Sequence, residues 1–525
     1  MPLSQSDNRR KYLALIVVSL LSCAVFAQAP VISSFSPTSG VIGTTVTITG
    51  ANFNASPAGN TVFFGAVKAP VSAASPGSLT VTVPLGATYQ PLSVTTGNLT
   101  AYSAHPFVTT FPGVNTDFNS ISFADAIRSQ TGLYPYGVVI VDLDGDGKPD
   151  LATANNANSP VSTISVLRNV SAKDSIAFEA NADLPAPSGS TPYSIAAGDI
   201  DGDGKQDLVV TNNVASTVSV YRNTSIPGAI SFAPRVEFAT GSTPFSVAIG
   251  DLDGDGRPDL AVADYLPGTV SIFRNTSSAG SVSFAAKTDI PTLATPRYVT
   301  MGDIDGDGKP DLAIANERSS AISVIRNTST TGALSFATRV DLAVAGSPTS
   351  IAIGDLDGDG KADLAVSNYG KESVGIIRNA SSSGNISLSS AIDFPTGSSA
   401  YHVAIGDLNG DGKPDLAVAT TLSVYVYNNN STSGNISLVN PWNYYDFPPY
   451  FIALGDLDGD TKPDLVAANF THSNLSIFRN KFNEPAIASF SPTTAATGAT
   501  VTITGANFTS ATAVNFGGTP AASFT

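Results

Sequence analysis

Seven copies of a nine-residue acidic loop begin at Asp142, Asp199, Asp251, Asp303, Asp355, Asp407 and Asp456. The first reads Asp142-Leu143-Asp144-Gly145-Asp146-Gly147-Lys148-Pro149-Asp150, with carboxylates at positions 1, 3, 5 and 9. Alternate carboxylates in a tight turn converge on one point, and glycines at positions 4 and 6 let the chain wrap. Unpaired, four aspartates this close repel strongly. An all-oxygen donor set suits a hard cation, and calcium takes about six to eight oxygens in irregular geometry. Position 7 is expected to add its backbone carbonyl.

The expected ligands are therefore Asp142, Asp144, Asp146, Lys148 and Asp150 in the first loop, and Asp199, Asp201, Asp203, Lys205 and Asp207 in the second. The third and fourth supply Asp251, Asp253, Asp255, Arg257 and Asp259, then Asp303, Asp305, Asp307, Lys309 and Asp311. The fifth has Asp355, Asp357, Asp359, Lys361 and Asp363. The sixth has Asp407, Asn409, Asp411, Lys413 and Asp415; Asn409 is neutral but still offers an oxygen. The seventh has Asp456, Asp458, Asp460, Lys462 and Asp464, with Thr461 where every other loop has glycine. A β-branched residue is costly at positive φ, so the seventh is the weak loop if position 6 requires that conformation. These are not EF-hand loops, because Thr153 and Val210 stand where a bidentate glutamate belongs. A structural role for the cation is the default expectation.

The loops recur at intervals of 57, 52, 52, 52, 52 and 49 residues, so the chain reads as a repeat array. In one unit, Ser194–Gly198 leads into the loop and Asp207–Thr211 leaves it. Val218–Asn223 follows, then an outer strand from Ile230 through Phe238. Four short strands per unit, repeated in a ring, predict an all-β, seven-bladed β-propeller over residues 113–483. The last unit lacks a fourth strand, and Ile121–Ile127 matches the fourth-strand phrase, so the N-terminal segment is expected to complete it.

Residues 28–112 carry Ser34-Phe35-Ser36-Pro37, Thr44–Gly50, Asn52-Phe53 and Val62–Gly65. These alternating segments read as a β-sandwich, and the phrases resemble the IPT/TIG family of immunoglobulin-like domains. The phrase returns as Ser489–Pro492, Val501–Gly505, Asn507-Phe508 and Phe516-Gly517, implying a second, incomplete sandwich over 484–525. The array resembles the FG-GAP/VCBS repeats of bacterial surface proteins and, more distantly, the integrin α-subunit propeller. That resemblance implies that each loop joins the first and second strands of a blade and binds calcium.

On the face opposite the loops, six residues before each first Asp, stand Tyr136, Tyr193, Phe245, Arg297, Thr349, Tyr401 and Tyr450. The next position adds Tyr298, His402 and Phe451. Loops after the second strand add Asn156, Asn213, Tyr265, Arg318, Tyr369 and His472. Aromatics around a ring opening are candidates to stack on sugars or hold a peptide. Read plainly, they cap the packing between blades.

The start resembles an export signal over 1–27: Arg9, Arg10 and Lys11 precede an apolar run from Tyr12 to Val25, with Ala27 before Gln28. A retained anchor and a lipoprotein acylated at Cys23 are the alternatives. Cys23 is the only cysteine, so no disulfide framework or thiol nucleophile is available after cleavage. The net charge is −16 and no basic stripe exists, which excludes nucleic acid. The three histidines, His105, His402 and His472, lie in different units and form no catalytic set. Asn169, Asn223, Asn275, Asn327 and Asn379 match the N-glycosylation acceptor, but their fixed place after the third strand favours a turn-forming role.

The sequence thus predicts an exported, calcium-binding propeller that mediates adhesion or binds a carbohydrate or protein at the cell surface. The rival is a structural spacer or scaffold without a ligand of its own. A polysaccharide-active enzyme is the distant third.

Overall fold

The computed structural model describes residues 28–112, 117–157, 162–445, 448–482, 484–508 and 513–524. The export signal expected over 1–27 lies outside them.

Each repeat unit folds into one antiparallel four-stranded sheet. In the second unit the strands are Pro192–Gly198, Asp207–Asn212, Thr217–Tyr221 and Val236–Ala239, in that order. All six residues of Asp207–Asn212 are buried, because neighbouring sheets cover both its faces. A strand covered on both sides reads as a continuous apolar run, here Leu208-Val209-Val210, rather than as alternation. The outer strand Val236–Ala239 is mostly exposed and leaves its edge to solvent.

The seventh sheet is assembled from both ends of the array. Ile127–Gln130 pairs with Asn474–Phe478, which continues to Asp464–Asn469 and Pro449–Gly455. The expected segment Ile121–Ile127 contributes only a bridge from Phe123 to Asn480; the strand proper begins at its last residue, Ile127. The first five units behave alike, with isolated bridges such as Phe232 to Asn223 ahead of the outer strand, which in the second unit starts only after Pro234, a residue with no N–H for a ladder; in the sixth unit the outer strand runs unbroken over Leu438–Tyr445.

The first strands of successive units touch one another, and Pro135–Val141 also touches Pro449–Gly455. Apolar clusters fill the gaps between sheets. Val141, Ala152 and Ile164 of the first unit pack on Ile195, Leu208 and Tyr221 of the second. Ile140 and Leu151 pack on Val466, Leu475 and Ile477 of the last.

The expectation of a closed seven-bladed propeller is corrected here. No sheet among the described residues closes into a barrel. Each hydrogen-bonded ladder runs from an inner strand to an open outer edge and stops. Neighbouring sheets meet through side chains, not through a continuous ladder. The class that stands is all-β, with tandem four-stranded sheets.

Residues 31–110 form two further four-stranded sheets. Val31–Ser36, Thr45–Ala51, Ser78–Thr82 and Val71–Ser75 make one; Val67–Ala69, Asn60–Phe64, Pro91–Thr96 and Leu99–Pro106 make the other. Val46, Ile48, Val62, Phe64, Leu79 and Phe107 are buried between them. Near the C-terminal end, among the described residues, two short pairs form, Ala486–Ser491 with Thr502–Ala506 and Asn515–Phe516 with Thr519–Pro520. Phe516 is 50% exposed, whereas its first-module counterpart Phe64 is 1% exposed.

The first module sits on the acidic-loop face of the array. Asp142 N–H donates to the Ala66 carbonyl at 3.1 Å, and Thr100 N–H to the Gly256 carbonyl at 2.6 Å. A Cβ on Gly202 would fall 2.4 Å from the Asn98 carbonyl oxygen, one on Gly410 2.6 Å from that of Phe111, and one on Gly459 2.9 Å from the Leu85 side chain. Glycine at these positions therefore allows close approach of the module as well as the turn itself.

Candidate functional site

Every acidic loop is wired in the same way. The position-1 carboxylate accepts the position-6 N–H: Asp142 from Gly147 at 3.0 Å and Asp303 from Gly308 at 2.9 Å. The carboxylates at positions 3 and 5 accept the N–H two residues on, as Asp144 does from Asp146 and Asp146 from Lys148. Position 9 uses both oxygens on backbone. Asp150 accepts Leu143 N–H at 2.9 Å and Asn169 N–H at 2.8 Å, and Asp207, Asp259, Asp311, Asp363, Asp415 and Asp464 repeat the pattern. Position 9 was expected to be a ligand like the others. The structure makes it also the clamp that shuts the loop against the third strand.

The seventh loop keeps this wiring. Thr461 N–H donates to Asp456 at 2.9 Å, and Thr461 sits at φ +79° beside glycine counterparts at +85° to +88°. Position 6 does require the left-handed region, as the sequence reading supposed.

Two further residue sets complete the site: an arginine set that the sequence reading did not single out, and the asparagines it read as turn-forming. An arginine at the end of the third strand faces the position-3 carboxylate in six units: Arg168 with Asp144, Arg222 with Asp201, Arg274 with Asp253, Arg326 with Asp305, Arg378 with Asp357 and Arg479 with Asp458. In the remaining unit Asn428 takes the arginine's place and bonds to Asn409. The signal was present as a recurring Arg-Asn dipeptide that becomes Asn428-Asn429 where the loop aspartate becomes Asn409.

The asparagine that follows staples neighbouring units. Asn223 donates to the carbonyls of Gln206 in its own loop and Leu143 in the preceding one. Asn169 does the same to Pro149 and, across the seam, to Leu457. Asn169, Asn223, Asn275, Asn327 and Asn379 are 0% exposed, so their amides are committed to the fold, in line with the turn-forming reading.

The donor chemistry fits a divalent cation. Asp142, Asp144 and Asp146 can bring three carboxylate oxygens within 4.8 Å of one another, as can Asp199, Asp201 and Asp203, then Asp251, Asp253 and Asp255, and Asp303, Asp305 and Asp311. Asp199 Oδ1 and Asp251 Oδ1 are buried with no hydrogen-bond partner. Burial pushes the carboxyl of Asp142 up to about 6, those of Asp150, Asp199, Asp251, Asp311, Asp407 and Asp456 up to about 7, and that of Asp259 up to about 8. Buried carboxyls resist ionisation when too little positive charge is near. One arginine beside six of the seven loops offsets part of that charge, and a divalent cation would offset the rest.

On the opposite face the structure brings the expected aromatics together. Tyr136, Tyr193, Phe245, Arg297, Tyr401 and Tyr450, with Thr349, surround a void of about 20 Å³. Tyr136 and Tyr193 lie tilted at 3.7 Å between ring centroids, and Tyr401 and Tyr450 stack at 4.2 Å. Arg297 donates to both the Tyr136 and Tyr193 hydroxyls, at 2.8 and 2.9 Å, and pairs with Glu317 at 3.2 Å. So small a void shows that these side chains fill the centre themselves. Tyr298, His402 and Phe451 line the same void, with the Tyr298 and His402 rings edge to face at 5.8 Å.

Around this plug runs an aromatic rim. Tyr265 stacks on Phe245 at 4.7 Å with Arg318 over its ring, and Tyr369 lies 5.1 Å from Tyr401. Tyr134 and Phe470, not singled out from the sequence, stack at 5.2 Å. Asn156 and Asn213 donate to the Pro192 and Pro244 carbonyls of the next unit.

The FG-GAP-like repeat family matches residues 142–210, 199–262, 251–314, 303–366 and 355–418, a span covering just over half of the 525 residues. A related FG-GAP repeat description matches 399–438, and the IPT/TIG domain matches 30–111 and 485–524. These families are structural and adhesion modules, not catalytic domains. No curated protein sequence matches the chain. Among solved structures, a functionally unknown protein from Desulfotomaculum acetoxidans is 19% identical, with 60% of this chain and 88% of that one covered and a TM-score of 0.42. An auxiliary nutrient binding protein from Bacteroides thetaiotaomicron is 14% identical, covering 86% and 97%, TM-score 0.34. An Agrocybe aegerita lectin that recognises non-reducing terminal N-acetylglucosamine is 17% identical, covering 74% and 94%, TM-score 0.41.

Proposed function

This chain belongs to the FG-GAP-like repeat family, and on that premise we propose that it is a calcium-loaded adhesion module that binds an extracellular glycan or protein. The repeat architecture is consistent with an adhesive or ligand-binding surface module, and no described helix is long and apolar enough to cross a membrane. Calcium would be held by the side-chain oxygens at positions 1, 3, 5 and 9 of each loop, an amide oxygen from Asn409 in the sixth, joined by the position-7 carbonyl. It would supply fixed positive charge where burial otherwise disfavours the ionised aspartates. Its work in this reading is to set the loops and, through the asparagine staples, the spacing between sheets.

The observation that carries ligand binding is the aromatic rim opposite the loops. Tyr134 and Tyr369 are 43% and 38% exposed, one in a loop and one at a strand end, at positions that differ from unit to unit above a repeated frame. Flat aromatic faces, with Arg318 over that of Tyr265, suit a sugar ring or an extended peptide. The central plug of Tyr136, Tyr193, Phe245, Arg297, Tyr401 and Tyr450 supports that surface from beneath.

The test is a glycan and protein array probed with the full chain and with Tyr134→Ala/Tyr369→Ala. Loss of a specific signal at unchanged melting temperature supports the reading. No specific signal from the parent on either array favours the spacer reading instead.

A further inference from the structure

Granted the calcium reading of the loops above, we propose that the cations of the second and third loops lie trapped beneath the first module, and that the module stays docked on the loop face only while they are bound. The hairpin of Pro91–Thr96 and Leu99–Pro106 lies against these two loops. Thr95 Oγ1 stands 3.4 Å from Asp199 Oδ2 and 2.8 Å from Thr100 Oγ1, and the Thr100 N–H donates to the Gly256 carbonyl at 2.6 Å. A Cβ on Gly204 would fall 3.4 Å from Thr61 Oγ1, and one on Gly256 2.8 Å from the Ala29 side chain and 2.9 Å from that of Leu99. Both loops are thus inside the contact between module and array.

These two loops also differ from the rest in their wiring. In the first, fifth, sixth and seventh, the position-1 carboxylate gives one oxygen to the position-6 N–H and the other to the position-4 N–H, as Asp142 does with Gly147 and Gly145. Asp303 in the fourth gives its second oxygen to the Asp307 N–H. In the second and third, the Gly204 and Gly256 N–H groups reach Oδ2. Asp199 Oδ1 and Asp251 Oδ1 are left buried with no hydrogen-bond partner. A buried acceptor without a partner is costly, and a cation in the loop is the partner these oxygens lack.

The module brings no charge to meet them. Residues 28–112 contain no aspartate or glutamate and a single lysine or arginine, Lys68, which is exposed. Among the described residues, every ion pair of a loop aspartate is with an arginine or lysine of the array itself. In the second loop four aspartates face Lys205 and Arg222, and in the third four face Arg257 and Arg274, which leaves a charge of −2 on each. One divalent cation cancels it. Without that cation, docking strips water from two negative loops and returns only hydroxyls and apolar groups. The apolar contacts of Ala66 and Val67 with Ile140 and Leu457 favour docking in either state. The carboxylates under the hairpin decide whether those contacts suffice. The module therefore covers the loop face while calcium is bound and uncovers it when calcium is withdrawn.

Thr100 and Asp142 report docking directly, because their amides donate across the contact to Gly256 and Ala66. Hydrogen–deuterium exchange of the full chain is followed by mass spectrometry at pH 8, well below the melting temperature, in calcium and in excess chelator. Chelator should speed exchange at these two amides about tenfold or more. Residues 207–212 and 259–264 of the array and 45–49 of the module should keep their protection. Asp199→Asn with Asp251→Asn leaves an oxygen for each backbone donor and removes two charges. In chelator its Thr100 and Asp142 amides should stay about threefold or more better protected than the parent's. Asp303→Asn with Asp307→Asn removes two charges from the fourth loop, where a Cβ on Gly306 or Gly308 would meet nothing within 4 Å, and should behave as the parent does. Equal protection in calcium and chelator, in a parent that elemental analysis shows to carry calcium, overturns the proposal and leaves the calcium reading standing. A parent that takes up no calcium removes both. Loss of protection in all segments together overturns selective release of the module, and equal rescue by the fourth-loop variant overturns the assignment to the second and third loops.

Discussion

Asn409 donates its side-chain amide to Asn428 Oδ1 at 3.1 Å, at the place where six other units set an aspartate against an arginine. Both members of the pair have changed together from a charged to a neutral version. Asn409 is 0% exposed, so a lone charge there has no water to fall back on. In excess chelator, where no cation can serve as its partner, Asn409→Asp alone should cost about 3 kcal/mol, the scale for a buried charge without its partner. Asn409→Asp with Asn428→Arg should recover most of that loss. Urea denaturation of the two single changes and the double change measures the coupling. Additive losses would show that the two positions do not act as a pair.

Thr461 holds φ +79° at a position where the other loops use glycine. Thr461→Gly should stabilise the protein by about 1 kcal/mol by relieving that strain. The introduced glycine adds some unfolded-state entropy, so the net gain is modest. Thermal melting of parent and variant in saturating calcium reads it directly, and an unchanged or lower melting temperature counts against strain at this site.

Removing metal should loosen the array. With the loop carboxyls buried and only one arginine beside most of them, excess chelator should lower the melting temperature and added calcium should restore it. Elemental analysis of the purified chain should find several calcium ions per molecule, up to seven. Identical melting in chelator and in calcium, with no metal found, would remove the cation from the reading.

The staple between units should be as important as any core contact. Asn223 satisfies the buried carbonyls of Leu143 and Gln206, both at hydrogen-bond distances of 2.8 to 2.9 Å. Asn223→Ala leaves both acceptors unpaired, at a cost of about 3 kcal/mol. Thr224→Ala next to it removes only an exposed hydroxyl contact with Ser231 and should be nearly neutral. Denaturant midpoints of the two variants should differ widely; similar midpoints would mean the staple carries little.

His402 gives the chain a defined acid sensitivity. Its pKa is about 3 in the fold, against about 6.5 when unfolded. Between those values the unfolded chain takes up a proton that the native ring refuses. The native state therefore has full benefit above pH 6.5 and loses it as the pH falls toward 3. From pH 7.5 to 5 the parent should lose up to about 2 kcal/mol more than His402→Phe. Parallel pH profiles for the two proteins would contradict this.

The sequence by itself determined the repeat, its four strands per unit and the oxygen-rich loops. Each of these is written locally, in runs such as Leu208-Val209-Val210 and in glycines at fixed offsets from the aspartates. It also marked the aromatic positions before each first strand, which the fold does bring together, and it identified Thr461 as the odd residue in its loop. What it could not show was how units meet. The sequence reading closed the array as a propeller, but each ladder stops at an open outer edge. Contacts between units are made by side chains 72 to 80 or more positions apart, such as Asn223 with Leu143 and Asn169 with Leu457. Only the tertiary structure decided that Arg168 would face Asp144, that the tyrosines would fill the centre of their face, and that the first module would cover the acidic loops. Those outcomes depend on which surfaces come into contact once strands are paired, and hydrophobic periodicity within one segment carries no information about that.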